Sequence, residues 1–376
     1  MVKTAKRKPG IINPGSFISM LFGTLYTLEK FFFIQIFMMN RFGLNLFFCV
    51  FVISLQAQQK PQYTQYVQNN FILNPALTGI ENYTDVKISH RHQWVGLQDA
   101  PVTTYLTIHG PLGKKDDRET ATSFHKPGEN PRGKNYWENY ESARPHHGIG
   151  MVLLNDRTGP LNRFSGYITY AYHIGITAQT SLAAGFAAGV SNLSLDRSRL
   201  FFDVPVDPAV YSSKEINSLR PDFNAGIWLY SADYFIGLAA QQIVPEKIVF
   251  TSNEVGIQQG KYVPHIFATA GYRFLVDEDF NLIPSLMVKY VKPLPVQVDF
   301  NAKLQYQDFL WAGAGYRTYD GFSAMVGINM SNTINIGYSY DLTTSKLNTV
   351  SKGTHEIIIG FLIGNKYGDW CPKNVW

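Results

Sequence analysis

Cysteine is almost missing from this 376-residue chain: Cys49 and Cys371 are the whole supply. Cys49 falls inside an apolar leader, and one remaining thiol supports neither an intrachain disulfide nor a cysteine-based metal site. Charge is scarce too. Asp, Glu, Lys and Arg make up 16% of residues, against roughly a quarter in an ordinary soluble domain. The excess of +5 comes entirely from residues 1–57. These hold six of the 33 basic residues (Lys3, Lys6, Arg7, Lys8, Lys30, Arg41) and one of the 28 acids (Glu29), which leaves 27 of each sign. A neutral remainder has no electrostatic footprint for nucleic acid. Beyond residue 57 no apolar run approaches the roughly 20 residues a spanning helix requires.

Catalytic signatures are lacking as well. There is no Gly-x-Ser-x-Gly elbow, no phosphate-binding loop ending in Lys-Ser/Thr and no Gly-x-Gly-x-x-Gly. His355-Glu356 begins like a zinc-protease motif, but Ile359 stands where the second histidine belongs. His90 and His92 share a strand face at metal-ligand spacing without a third ligand nearby. His146 and His147, being adjacent, point to opposite faces. Asp203 and Asp207 read as a rigid turn beside Pro205 and Pro208 rather than an acid pair. The expectation is a non-enzyme with no catalytic, cofactor-binding or metal residues.

What the chain does have begins with a leader. Arg41 precedes the 14-residue apolar run FGLNLFFCVFVISL (42–55), followed by Leu55-Gln56-Ala57 and a polar stretch. Charged, apolar and small-residue regions in this order make a secretory signal peptide, with cleavage expected after Ala57. A spanning helix over 31–55 is disfavoured by Asn40 and Arg41 at its centre. Translation is expected to begin at Met38 or Met39, with residues 1–37 a mis-annotated extension. Cys371 reads as an incidental free thiol in a C-terminal tail, 365–376.

Aromatic residues reach 14%, with 22 Tyr and 26 Phe, and glycine numbers 31. From residue 83 period-2 runs recur between turn signals. In 333–341, Ile334, Ile336, Tyr338 and Tyr340 oppose Asn335, Gly337, Ser339 and Asp341. In 321–329, Phe322, Ala324, Val326 and Ile328 oppose Ser323, Gly327 and Asn329. In 163–175, Phe164, Ile168, Tyr170, Tyr172 and Ile174 oppose Ser165, Thr169, Ala171 and His173. In 309–317, Leu310, Ala312, Ala314 and Tyr316 oppose Gly313, Gly315 and Arg317. One greasy face and one small or polar face suit a sealed cylinder in lipid, because only helices and closed barrels satisfy their backbone there. About 14 antiparallel strands are expected: 84–94, 101–109, 147–155, 163–175, 179–192, 222–231, 233–242, 263–274, 280–291, 296–304, 308–317, 321–329, 333–341 and 354–363. The fold class is therefore all-β, a transmembrane outer-membrane β-barrel over 83–364.

Short links (Ala178-Gln179, Ser231-Ala232, Asp277–Asp279, Gln307, Ser331-Asn332) alternate with long ones (193–221, 243–262, 342–353), as periplasmic turns and outer loops do. A polar insert, 113–145, interrupts this on the periplasmic side and is expected to modify contact with a periplasmic partner. Asn155-Asp156-Arg157 and Gly159-Pro160 are expected to turn the chain, while Gly148, Gly150 and Gly166 thin the wall or belong to a partner-contacting loop. Residues 58–82, with Tyr63, Tyr66, Phe71 and Asn74-Pro75, are expected to pack in the lumen or bind in the periplasm.

Several long motifs occur in order: QYTQYVQNNFILNPALTG (62–79), ISHRHQWVGLQDAPVTTYLTIHGPL (88–112), HGIGMVLLNDRTGPLNRFSGYITYAYHI (147–174), LAAGFAAGVSN (182–192) and FFDVPVDPAV (201–210). Together they resemble the PorP/SprF family of the Bacteroidetes type IX secretion system, across residues 58–364. The resemblance implies an outer-membrane component of the secretion and gliding machinery, supporting secretion or surface anchoring of adhesins with C-terminal sorting domains. It also implies periplasmic partners, the PorK/PorN ring and a PorE-type peptidoglycan-binding linker, besides the lipid of the outer membrane. A general diffusion porin or small-solute channel is the alternative.

Overall fold

A computed structural model describes residues 61–113, 134, 138, 140–196, 217–244, 247–248, 260–261, 263–307, 309–331 and 333–365. Fourteen antiparallel strands close on themselves: β1 Thr84–His92, β2 Val102–Leu112, β3 His146–Thr158, β4 Leu161–Gly175, β5 Ser181–Leu195, β6 Asn217–Tyr230, β7 Tyr234–Gln241, β8 His265–Tyr272, β9 Phe280–Val291, β10 Gln297–Tyr306, β11 Leu310–Arg317, β12 Gly321–Asn329, β13 Ile334–Thr343 and β14 Thr354–Ile363. Each strand pairs with its sequence neighbours, and β1 pairs with β14 from Thr84↔Ile363 to His92↔His355. Beyond Arg273 a short stretch, Phe274–Asp277, continues β8 along β9. A two-residue pairing of Lys247–Ile248 with Gly260–Lys261 lies outside the main sheet. Closure leaves no sheet edge to be satisfied by lipid.

The wall is inside-out relative to a soluble protein. In β4, Phe164, Ile168, Tyr172 and Ile174 are exposed outward, Ile168 to 66%, while Ser165, Thr169, Ala171 and His173 are buried in the lumen. In β12 and β13 the apolar residues Phe322, Val326 and Tyr338 are likewise outside, and Asn335, Gly337 and Ser339 inside. The alternation thus assigns each face by the solvent it meets. Aromatic rings collect at both ends of the wall, with Tyr272–Phe274 and Phe280–Tyr306 at one end and Tyr316–Phe322 at the other, as interfacial girdles do. An Ile168→Arg variant places a charge at mid-strand on the lipid face. It is expected to lose about 2 kcal/mol of membrane stability, measurable by urea unfolding in vesicles.

β1 begins and β14 ends at the same mouth, called near here; the opposite one is the far mouth. Strands on the far side run longer than alternation indicates. Asn155, Asp156 and Arg157 are not a turn but paired members of β3, opposite Phe164, Arg163 and Asn162, and only Gly159-Pro160 reverses the chain. β5 likewise continues to Leu195, and β6 starts at Asn217. Where the wall rises past the greasy band, the ladder continues although the polarity signal fades. At the near mouth, Ser142 N–H donates to the Ala178 carbonyl (2.8 Å) and Ala143 N–H to Ser181 Oγ (2.9 Å). These bonds fasten the end of the polar insert across the short near-mouth turns.

Candidate functional site in the barrel lumen

The lumen is filled by the chain itself. Residues 61–80 form three short 3-10 turns, Gln65–Val67, Asn70–Ile72 and Pro75–Leu77. Their apolar side chains, Tyr66, Val67, Phe71, Ile72, Leu73, Leu77 and Ile80, share one buried cluster with wall residues that include Tyr105, Tyr167, Trp228, Phe235, Met287, Trp311, Met325 and Ile358. Large apolar groups on the lumen face would be costly in a water-filled pore; here they are covered. Two cavities beside the plug are small: one against Tyr66 and Phe235 holds about 10 Å³, another against Phe71 and Tyr167 about 30 Å³. That is space for a water or two.

The plug runs from the far mouth to the near one before β1 begins, and wall side chains grip it in three places. At the far mouth the Glu356 carboxylate accepts from Thr64 N–H (2.7 Å) and Gln65 N–H (3.2 Å). Arg91 holds that carboxylate at 3.0 Å and Asp341 at 2.7 Å. Thr64 Oγ1 in turn donates to Asp341 (2.7 Å). Beside them Arg317, paired with Asp299 (2.8 Å) and Asp320 (3.1 Å), donates to the Tyr63 carbonyl (3.2 Å). Midway, Gln241 Nε2 donates to the Ile72 and Leu73 carbonyls at 3.0 and 2.9 Å. Asn301 meanwhile donates to the Tyr66 hydroxyl (2.6 Å).

The third grip is the tightest in shape. Asn74 caps the last 3-10 turn by accepting from Ala76 N–H (2.9 Å), and its Nδ2 donates to the Ile227 and Leu238 carbonyls at 3.0 and 3.3 Å. Three wall histidines then surround Thr78-Gly79. His173 Nε2 donates to the Thr78 carbonyl (2.9 Å) and His146 Nε2 to the Gly79 carbonyl (3.0 Å), because a carbonyl can only accept. His109 Nδ1 accepts from Gly79 N–H (3.2 Å). The rings of His146 and His173 stack at 4.5 Å. Gly79 sits at φ +74°, which a side chain resists, and any Cβ on Gly148 would overlap the Thr78 carbonyl. Gly148 therefore thins the wall for the plug.

The residues singled out by sequence divide accordingly. His90 and His92 are exposed on the outer face, where His90 meets Thr104 Oγ1. His147 also faces out, against Tyr170, opposite in direction to buried His146. His355 points outward to the Tyr338 hydroxyl, whereas Glu356 turns inward to hold the plug. Gly150 packs on His109 and Thr169, and Gly166 on Leu153. Asp203, Asp207, Cys371 and residues 1–57 lie outside the described residues. No cluster of three potential metal ligands occurs among the described residues. Glu356, Arg91, Gln241, His109 and His173 are the functional residues that motif reading passes over. Strand parity does signal the charged ones, since Glu356 and Arg91 fall on the lumen-facing positions of their strands.

No curated protein matches the chain. Among solved structures it is similar to the Ralstonia pickettii toluene transporter TbuX (9% identity, covering 77% of this chain and 92% of that one, TM-score 0.46). It is also similar to the P. putida toluene transporter TodX (9%, 78% and 93%, 0.43) and to the KdgM porin (10%, 74% and 98%, 0.33). A family-wide sequence profile described as "Type IX secretion system membrane protein PorP/SprF" matches residues 55–361. With 14 closed strands and that match over most of its length, the chain is an outer-membrane β-barrel that belongs to the PorP/SprF family of type IX secretion system membrane proteins.

Proposed function

We propose that this barrel supports the secretion or cell-surface anchoring of proteins with C-terminal sorting domains, adhesins among them, as a docking component and not as a conduit. The observation that carries this reading is the filled lumen. A segment gripped at Tyr63–Gln65, Ile72-Leu73 and Asn74–Gly79 packs its apolar side chains against the lumen wall among the described residues. That argues against a general diffusion porin, whose lumen stays open and polar. The barrel then works through its mouths. Its periplasmic partners are the PorK/PorN ring and a PorE-type peptidoglycan-binding linker, reached through the near mouth, where the polar insert is tied down. An adhesin client docks at the far mouth. Removing the gene should abolish surface display of sorting-domain adhesins while leaving outer-membrane permeability unchanged. The purified protein should show no steady conductance in planar bilayers. Normal adhesin display in the deletion strain, or a constant open pore, would overturn the proposal.

A further inference from the structure

We infer that the far half of the lumen is a peptide-binding site, occupied at rest by the chain's own residues 61–73. On this view a segment of a client protein that can adopt the same short turns takes their place. The inference rests on the docking function proposed above and adds how a client is held.

Three observations carry it. First, the wall reads backbone over 61–73. Glu356 takes two consecutive amides, Arg317 one carbonyl and Gln241 two consecutive carbonyls. Such contacts are indifferent to sequence and would hold another segment that adopts the same short 3-10 turns. None of the described backbone hydrogen bonds joins 61–73 to a barrel strand, so its departure breaks no ladder. Second, the resident fits one side poorly. Both side-chain polar atoms of fully buried Gln65, Gln68 Oε1 and Asn69 Oδ1 have no protein partner, nor have Asn335 Oδ1 and Ser339 Oγ. Gly337, between those two wall residues on β13, faces the Gln65 and Gln68 side-chain oxygens. Buried polar groups without partners weaken an occupant. Third, the poor fit stops at Asn74. From there to Gly79 the chain is capped, bonded to two wall carbonyls and enclosed by histidines and Gly148. Leu73 to Asn74 is therefore where a released half would pivot. The favoured client segment is uncharged and able to form two short 3-10 turns, with large apolar side chains where Tyr66, Val67, Phe71 and Ile72 now share a buried cluster with Phe235, Met287, Trp311 and Ile358.

The probe is a synthetic peptide copying residues 61–73, PQYTQYVQNNFIL, offered to the full chain in detergent. With Cys49 and Cys371 replaced by Ser, Gln68→Cys reports release by maleimide labelling, which saturating peptide should accelerate. Phe71→Ala weakens the resident, whose tethering gives it a high effective concentration. Fluorescent peptide should then bind this variant at least about tenfold more tightly than the parent. Unchanged labelling, with no tighter binding by a Phe71→Ala barrel of normal β circular dichroism, would refute the site. Should Phe71→Ala fail to assemble, the labelling experiment decides alone. Peptide exchange with adhesin display unaffected by gene deletion would leave the site standing and remove the docking function. Lost display without exchange would do the reverse.

Discussion

Arg91→Met is expected to be the most damaging single substitution in the lumen, costing about 3–5 kcal/mol. Arg91 is 2% exposed and is the cation between Glu356, 3.0 Å away, and Asp341, 2.7 Å away. Without it two carboxylates are left enclosed and uncompensated, and they repel one another. Glu356 also holds the Thr64 and Gln65 amides, so relief by moving apart releases the start of the plug. Urea unfolding in vesicles should show the loss, and planar bilayers should show intermittent conductance absent from the parent. Combining Arg91→Met with Glu356→Gln and Asp341→Asn removes the stranded charge and leaves an amide oxygen to accept from Thr64. That triple variant should recover most of the stability, since what is costly is the broken pair and not the loss of charge as such. A single variant as stable as the parent would show that the carboxylates are reached by solvent.

Gly148→Ala acts at the opposite end of the plug. The added methyl would collide with the Thr78 carbonyl and come within 2.8 Å of Gly79 Cα. These are backbone atoms held by His173, His146 and His109, so no flexible side chain can swing away. Overpacking of this kind costs about 3 kcal/mol, the upper part of its usual range. The expected result is an assembled barrel whose near-mouth grip has opened, seen as new protease cleavage within residues 61–82. Gly166→Ala is the control. Its methyl meets only the end of the Leu153 side chain, at 3.3 Å, and should leave cleavage and stability as in the parent. Equal behaviour of the two variants would mean that the close approach at Gly148 does not hold the plug.

The contrast between His355 and Glu356 shows why motif reading misses such a site. Together they resemble a broken protease signature, and that reading fails for want of a second histidine. Strand parity separates them, one facing lipid beside Tyr338 and the other facing the lumen. Parity still names no partner. Thr64 and Glu356 are 292 residues apart in sequence, and Gln241 lies 169 from Ile72. Nothing local to either end records such contacts.

The sequence alone indicated the barrel, its count of about 14 strands and the direction of side chains in the clearly alternating runs, because a wall with lipid on one side must alternate at every second residue. It left open where strands stop beyond the greasy band, as at Asn155–Arg157, because water on both faces imposes no alternation. Only the tertiary structure decided that the lumen is closed and by what. An inward apolar residue such as Trp228 or Phe235 looks the same in sequence whether it meets water, a ligand or the chain's own beginning. The choice depends on bringing residues 61–80 against many distant wall positions at once.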